Sequence, residues 1–340
     1  MAYLVVGELT SESTAGLLAL EAFDFQVCDS LAAGLGRLSD GGIDGLAVST
    51  RLPAHELLLG LLRELGEFPA VALVDSFAEG LGAVDRGFDD FVAHASGLPA
   101  GLGCKFVGAG DASMAPARGK VLVADGSALH RAVFARLLVA AGFEVLSAGG
   151  VPEAAALASA QPLSAVVVDL ALPQGRADDV RRAAARPRGE CASLALRPAT
   201  AADSAMARAI EAGFLAVHDK RRPIEEALCK LASALLASGG PVGELAPVRL
   251  PALFRVGHEP GWRTGIVRWV NPTAAWVEAL DVPSVGVEVR LRFAGPDPAL
   301  LYEVATQCSY RKPFWERGLG AFRPGAWLTF QRPPVTVSEC

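Results

Sequence analysis

Two sets of five short apolar runs, separated by helical or turn segments, dominate residues 1–240. The first set comprises Tyr3–Val6, Phe25–Cys28, Gly45–Ser49, Ala70–Val74 and Phe91–Ala93, with helical patterns over Ser13–Ala22 and Leu31–Leu38. The second comprises Val121–Ala124, Glu144–Ser147, Ala165–Val168, Leu194–Leu196 and Leu215–Val217, with helical patterns over Ala128–Ala141, Pro152–Ala160 and Ile224–Ala237. Runs that are apolar on both faces must be covered on both faces, which predicts parallel sheets flanked by helices. Five such repeats in about 120 residues suit a doubly wound, flavodoxin-like domain, and its recurrence indicates an internal duplication.

The pattern changes at Val248. Strand-like runs at Gly265–Val270, Ala275–Ala279, Val287–Phe293, Leu301–Gln307 and Ala326–Gln331 lie between turn signals, and helical periodicity is poor. These features predict a small antiparallel β-barrel. Gly108–Arg118 and Ser238–Pro247 have the Gly, Ser, Ala and Pro content of linkers. The expected fold class is therefore α/β and all-β: two doubly wound domains, residues 1–107 and 119–238, and a barrel, residues 246–335. A chain of 340 residues exceeds one ordinary core, in keeping with that division.

Composition excludes several function classes. The formal net charge of −6 argues against a general nucleic-acid binder. No uncharged apolar run reaches the ~18–20 residues of a membrane span. The start, MAYLVVGELTSES, lacks a basic leader pattern, so a cytoplasmic location is expected. The six cysteines are scattered and form no zinc-ligand spacing, so reduced thiols are expected. No GxSxG, HExxH or P-loop motif occurs, and no enzymatic activity is expected.

The second unit resembles the receiver domain of bacterial response regulators. Its first strand, VLVADGS, places Asp125 at an acid position and Gly126 where the family has a second acid. Its third, AVVVDLALPQG, aligns Asp169 with the family's phosphoacceptor; SLALRPA puts Arg197 at the hydroxyl switch position; FLAVHDKRRP aligns Lys220 with the family's lysine. The resemblance implies that Asp125 and Asp169 would hold Mg²⁺ and that Lys220 would stabilise phosphoryl charge. Arg197 would pair with a phosphoryl oxygen or with Asp169 itself. Asp169 has two readings: a phosphoacceptor, or a structural acid that caps a turn or pairs with Lys220.

The first unit looks like a receiver further removed from the pattern. Gly7 and Glu8 stand at the acid positions, Ser49 at the acceptor position and His94 at the lysine position. A serine hydroxyl does not replace the aspartate nucleophile of this chemistry, which implies a pseudo-receiver. In the family, the face around the fourth strand, fourth helix and fifth strand carries partner contacts.

The barrel resembles a PilZ domain in its RLP, GIVRWVNPTAAWVEAL and GLGAFRPGAWLTF segments. Arg249, Asn271 and Thr273 match cyclic di-GMP-binding positions, but Leu245 replaces the partner arginine and Trp276 replaces a glycine. A tryptophan there obstructs close approach of the ligand, so cyclic di-GMP is not an expected ligand. Arg255, Arg263, Arg268, Arg290, Arg292, Arg311, Arg317 and Arg323 are expected on solvated faces, with docking on the acidic receiver units as the alternative. Together the resemblances imply a non-enzymatic signalling adaptor or scaffold with protein partners, such as a histidine kinase or a scaffolded regulator, and a motility setting by analogy. The alternatives are a response regulator phosphorylated at Asp169 and a cyclic di-GMP effector.

Overall fold

The computed structural model describes residues 1–94, 98–110, 118–185, 191–202, 204–236, 242–295, 300–312, 314 and 321–337. Residues 111–117 and 238–241 of the two expected linkers, together with Arg317, lie outside these. The first unit comprises β1 (Ala2–Val6), α1 (Ser11–Leu18), β2 (Asp24–Cys28), α2 (Leu31–Ser39) and β3 (Gly45–Ser49), followed by α3 (Glu56–Leu65), β4 (Ala70–Val74), α4 (Phe77–Asp85), β5 (Asp90–Ala93) and α5 (Leu98–Gly110). The second comprises β6 (Lys120–Ala124), α6 (Ala128–Ala140), β7 (Glu144–Ala148), α7 (Val151–Ala160) and β8 (Ala165–Asp169), then α8 (Ala177–Ala184), β9 (Ala192–Arg197), α9 (Ser204–Glu211), β10 (Ala216–Asp219) and α10 (Ile224–Leu236).

Both sheets are parallel, in the orders β2-β1-β3-β4-β5 and β7-β6-β8-β9-β10. This is the flavodoxin-like arrangement expected from the alternation. The central strands β3, β4 and β8 are buried throughout, which accounts for their unbroken apolar sequences. Hydroxyl caps start α1, α2, α4 and α6: Thr10 accepts from Ser13 N, Ser30 from Ala33 N, Ser76 from Glu79 N and Ser127 from His130 N.

The third unit comprises β11 (Ala246–Val256), β12 (Arg263–Asn271), β13 (Ala274–Glu278), β14 (Glu288–Ala294), β15 (Leu301–Lys312), β16 (Gly325–Phe330) and β17 (Val335–Val337). Its antiparallel order β14-β11-β12-β13-β16-β15 closes through β14–β15 pairing into a six-stranded barrel, with β17 added to β15. Closure removes the free edges that an open sheet would expose.

The barrel packs against both α/β units. Trp276, Tyr310, Phe322 and Trp327 share one apolar core with Leu228, Leu231 and Ala232 of α10, and Trp327 Nε1 donates to Ser233 Oγ at 2.8 Å. On the other side Ile266, Leu280 and Phe314 enter the cores of the first unit. Thr264 Oγ1 donates to Phe91 O at 2.7 Å, and Arg323 donates to Val84 O and Phe88 O at 3.1 and 3.2 Å. Helix α4 and strand β5 of the first unit, part of the face that carries partner contacts in the family, therefore contact the chain's own barrel, as does α5.

The expectation of solvated arginines is corrected in part. Arg290 is exposed and Arg292 half-buried, both against Glu303, but Arg311 is buried, and Arg268 and Arg323 face α4 and its following turn, as Arg249 does. Asp85 supplies the complementary charge for Arg249 and Arg268. Among the described residues, no helix is long and apolar enough to cross a membrane.

Candidate functional site at the carboxyl edge of the second sheet

Parallel strands end together, so residues at their carboxyl ends converge on one crevice. Asp125 follows β6, Asp169 ends β8 and Lys220 follows β10. The structure brings these three together: Lys220 Nζ lies 2.6 Å from Asp125 Oδ2 and 2.7 Å from Asp169 Oδ2. The remaining carboxylate oxygens are also engaged. Asp125 Oδ1 accepts from Ser127 N at 2.8 Å, and Asp169 Oδ1 accepts from Ala171 N at 2.9 Å.

A fourth member was not evident in the sequence. His130, in the first turn of α6, places Nδ1 2.6 Å from Asp125 Oδ2. Burial alone would raise the Asp125 carboxyl, but hydrogen bonds from His130, Lys220 and Ser127 N outweigh it and hold the group at about 2. An ionised Asp125 only accepts, so the His130 proton on this side belongs to Nδ1. A histidine just inside the helix that follows a first-strand acid is the signal that could have revealed it.

Arg197 does not join this group. Asp169 is in register with Leu196, whereas Arg197 is in register with Asp219. Strand side chains alternate faces, so Arg197 leaves Asp169 behind and pairs with Asp219 on the opposite face. Arg221 also donates to the Asp219 carboxylate. Of the two roles expected for Arg197, the pairing with Asp169 is therefore replaced by a cross-strand ion pair.

In this arrangement the carboxylate oxygens that Mg²⁺ would need are already engaged. That ion requires near-octahedral oxygen coordination at short range. Here two carboxylates share one ammonium, and Gly126 offers no side chain. Among the described residues, no cluster of three or more His, Cys, Asp or Glu side chains is arranged to hold a metal. The arrangement instead engages its own acids: Lys220 bridges the two carboxylates and His130 hydrogen-bonds Asp125, at oxygens that would otherwise face a cation.

The corresponding edge of the first unit has no acid pair. Ser49 is buried and its Oγ accepts from Arg51 N at 3.3 Å. A Cβ at Gly7 would lie 2.6 Å from Ser49 Cβ, so the acid position is sterically closed. His94 is held below its ordinary value, first by burial and then by the charge of Arg51.

The PilZ-like positions are spread among separate roles. Leu245 is buried in the core of the second unit. Arg249 donates to Leu81 O at 2.8 Å and pairs with Asp85. Asn271 Oδ1 accepts from Thr273 N and Oγ1 at 2.9 and 3.0 Å, and its Nδ2 donates to Gly243 O at 3.2 Å, forming a side-chain-stabilised turn. Trp276 is fully buried against Tyr310 and Phe322.

No family model matches the chain, and no curated protein does. Among solved structures, a two-component response regulator/GGDEF domain protein is 19% identical, covering 69% of this chain and 98% of its own, with a TM-score of 0.31. A Burkholderia pseudomallei response regulator with a phosphorylated aspartic acid is 23% identical, covering 33% of this chain and 65% of its own, with a TM-score of 0.30. An adenylate cyclase from Rhodopirellula baltica is 20% identical, covering 34% and 87% respectively, with a TM-score of 0.31. Superpositions this loose do not bear on function, which has to be argued from the crevice itself.

Proposed function

We propose that this protein is a non-enzymatic signal-transduction adaptor, built from two receiver-type units clamped by a PilZ-like barrel, that acts by binding other proteins. The carrying observation is the Asp125–Lys220–Asp169 bridge. Lys220 bridges the two acids, and His130 Nδ1, Ser127 N and Ala171 N hydrogen-bond them from within, so the carboxylate oxygens are already engaged without a metal or a phosphoryl group. The first unit keeps Glu8 at one acid position, but Gly7 and Ser49 replace the other two acids. Partner contacts would then fall on surfaces the barrel leaves free, such as α6, where Leu129, Val133 and Val139 are exposed.

One observation favours a second reading. Asp169 and Lys220 remain in contact, as a phosphoacceptor and its lysine would be. In that reading a histidine kinase phosphorylates Asp169 and the released Lys220 reports the change through α10 to the barrel. Cyclic di-GMP has less support, because Arg249, Asn271 and Trp276 each have structural work elsewhere.

Incubating the full chain with acetyl phosphate and Mg²⁺, followed by intact mass measurement, separates the two. The adaptor reading expects no covalent phosphoryl adduct. An adduct on the wild type that is absent from Asp169→Ala would replace it with the second reading.

A further inference from the structure

The first unit and the barrel are joined through a buried charge network that leaves one buried carboxylate oxygen without a donor, on a residue that lines two cavities. Lys105 of α5, Asp90 of β5 and Asp281 of the barrel are all buried. Lys105 Nζ lies 2.7 Å from Asp90 Oδ2, 2.7 Å from Asp281 Oδ1 and 2.6 Å from Thr264 O, so its three protons are committed. Asp90 is satisfied further by Phe91 N and Leu280 N, at 2.8 and 2.7 Å. Asp281 Oδ2 has no hydrogen-bond partner among the described residues, and Arg263 Nε, at 3.9 Å, is too distant to donate to it.

Two cavities, of about 370 and 510 Å³, adjoin this carboxylate, and both have Cys104, Glu259, Arg263 and Asp281 on their walls. The smaller adds Trp262 and Pro260, and the larger adds Phe23 and Val256. These volumes fall in the range of small-molecule sites, which are mostly apolar with a few convergent polar groups. A buried carboxylate oxygen without a donor is costly, and a ligand that supplies one recovers that cost.

We propose that this junction is a binding site for a small aromatic molecule bearing a cationic N–H donor, with Asp281 Oδ2 as its acceptor. The wall charges favour that sign: Arg263 pairs with Glu259 and Lys105 with Asp90 and Asp281 Oδ1, which leaves Asp281 Oδ2 as the carboxylate oxygen without a donor. Trp262 and Phe23 supply aromatic surface for the ligand's body. Because the walls come from both α5 and the barrel, an occupant would tie the first unit to the barrel.

Benzamidine is a suitable probe, since its amidinium is a planar cationic donor on an aromatic ring. With the full-length protein, saturable benzamidine binding by calorimetry should coincide with at least tenfold slower N-ethylmaleimide labelling of Cys104, read by peptide mass spectrometry. Benzoate, the same ring with the opposite charge, should do neither. Asp281→Asn should weaken binding at least tenfold. Since that change also touches Lys105, the rim variant Ala100→Trp, which fills the mouth and leaves the network intact, should abolish both signals. Unprotected Cys104, equal protection by benzoate, or wild-type binding in Ala100→Trp would each overturn the proposal.

Discussion

Lys312 on β15 donates to Glu225 on α10 at 3.0 Å, with neither side chain exposed to solvent. Lys312 also donates to Phe322 O at 2.6 Å, and Glu225 accepts from Phe322 N at 3.2 Å. The second unit and the barrel thus share an ion pair that water does not reach. Removing one member of such a pair leaves an uncompensated charge, whereas replacing both with apolar groups is often tolerated. Lys312→Met should therefore cost about 3–5 kcal/mol, and Lys312→Met with Glu225→Leu should recover most of it. Urea unfolding of the three proteins checks this.

The joint with the first unit, besides its buried Lys105–Asp281 pair, requires a glycine. A Cβ at Gly108 would lie 2.3 Å from Asp281 Cα and 2.4 Å from Leu280 O. Backbone cannot yield as a side chain can, so Gly108→Ala should destabilise by about 1–3 kcal/mol through overpacking. Gly103 lies on the same helix, but its added Cβ would meet Leu20 Cδ1 at an ordinary 3.4 Å. Gly103→Ala should be neutral or slightly stabilising. Thermal unfolding of both variants distinguishes the two sites.

His218 sets part of the acid response. Burial, followed by the charges of Lys230, Arg222 and His130, holds it at about 3, below the ordinary 6.5. Between pH 6.5 and about 3 the unfolded chain therefore binds a proton that the folded chain refuses, and stability falls as pH falls. His218→Leu should remove this slope, gaining about 2 kcal/mol relative to wild type between pH 7 and pH 5, at 1.36 kcal/mol per pH unit. Asp90 works the other way: burial raises it to about 6, so its contribution is present at low pH and lost as pH rises through that value. It does so in both proteins, so the difference between them isolates His218. Asp125 adds stability above 3.8 that is lost as pH falls toward about 2, below the range compared. Denaturant unfolding at pH 7 and 5 measures the gap.

Gly126 has room for the acid that the receiver pattern carries there. Its added Cβ meets only Pro173 Cδ, at 3.5 Å. Gly126→Asp should raise Mg²⁺ affinity at least tenfold by supplying another oxygen ligand. Calorimetric titration of the variant and wild type with MgCl₂ provides the comparison.

Much of this architecture was legible because burial leaves a mark on sequence. β8 is apolar on both faces and ends in Asp169, so its place and its acid could both be read. Lys220 followed from the same logic at the end of β10. Helix α5 is hard to read because LPAGLGCKFVGAG carries glycines that lower helix propensity, of which Gly108 serves close packing against the barrel. Lys105, Glu225 and Lys312 look like solvated charges in sequence, since a buried ion pair shows only when its distant partner is in place. Arg197 was assigned to the crevice because strand register, which sends it to Asp219, is not written in a single strand.

The claim that matters most is that the Asp125–Lys220–Asp169 crevice satisfies itself and does not assemble a metal-dependent phosphoryl site. Titrating the full-length protein with beryllofluoride in millimolar Mg²⁺, by calorimetry and with Asp169→Ala alongside, tests it most directly. The account expects no saturable heat in either protein. Saturable binding to the wild type that vanishes in Asp169→Ala would contradict it.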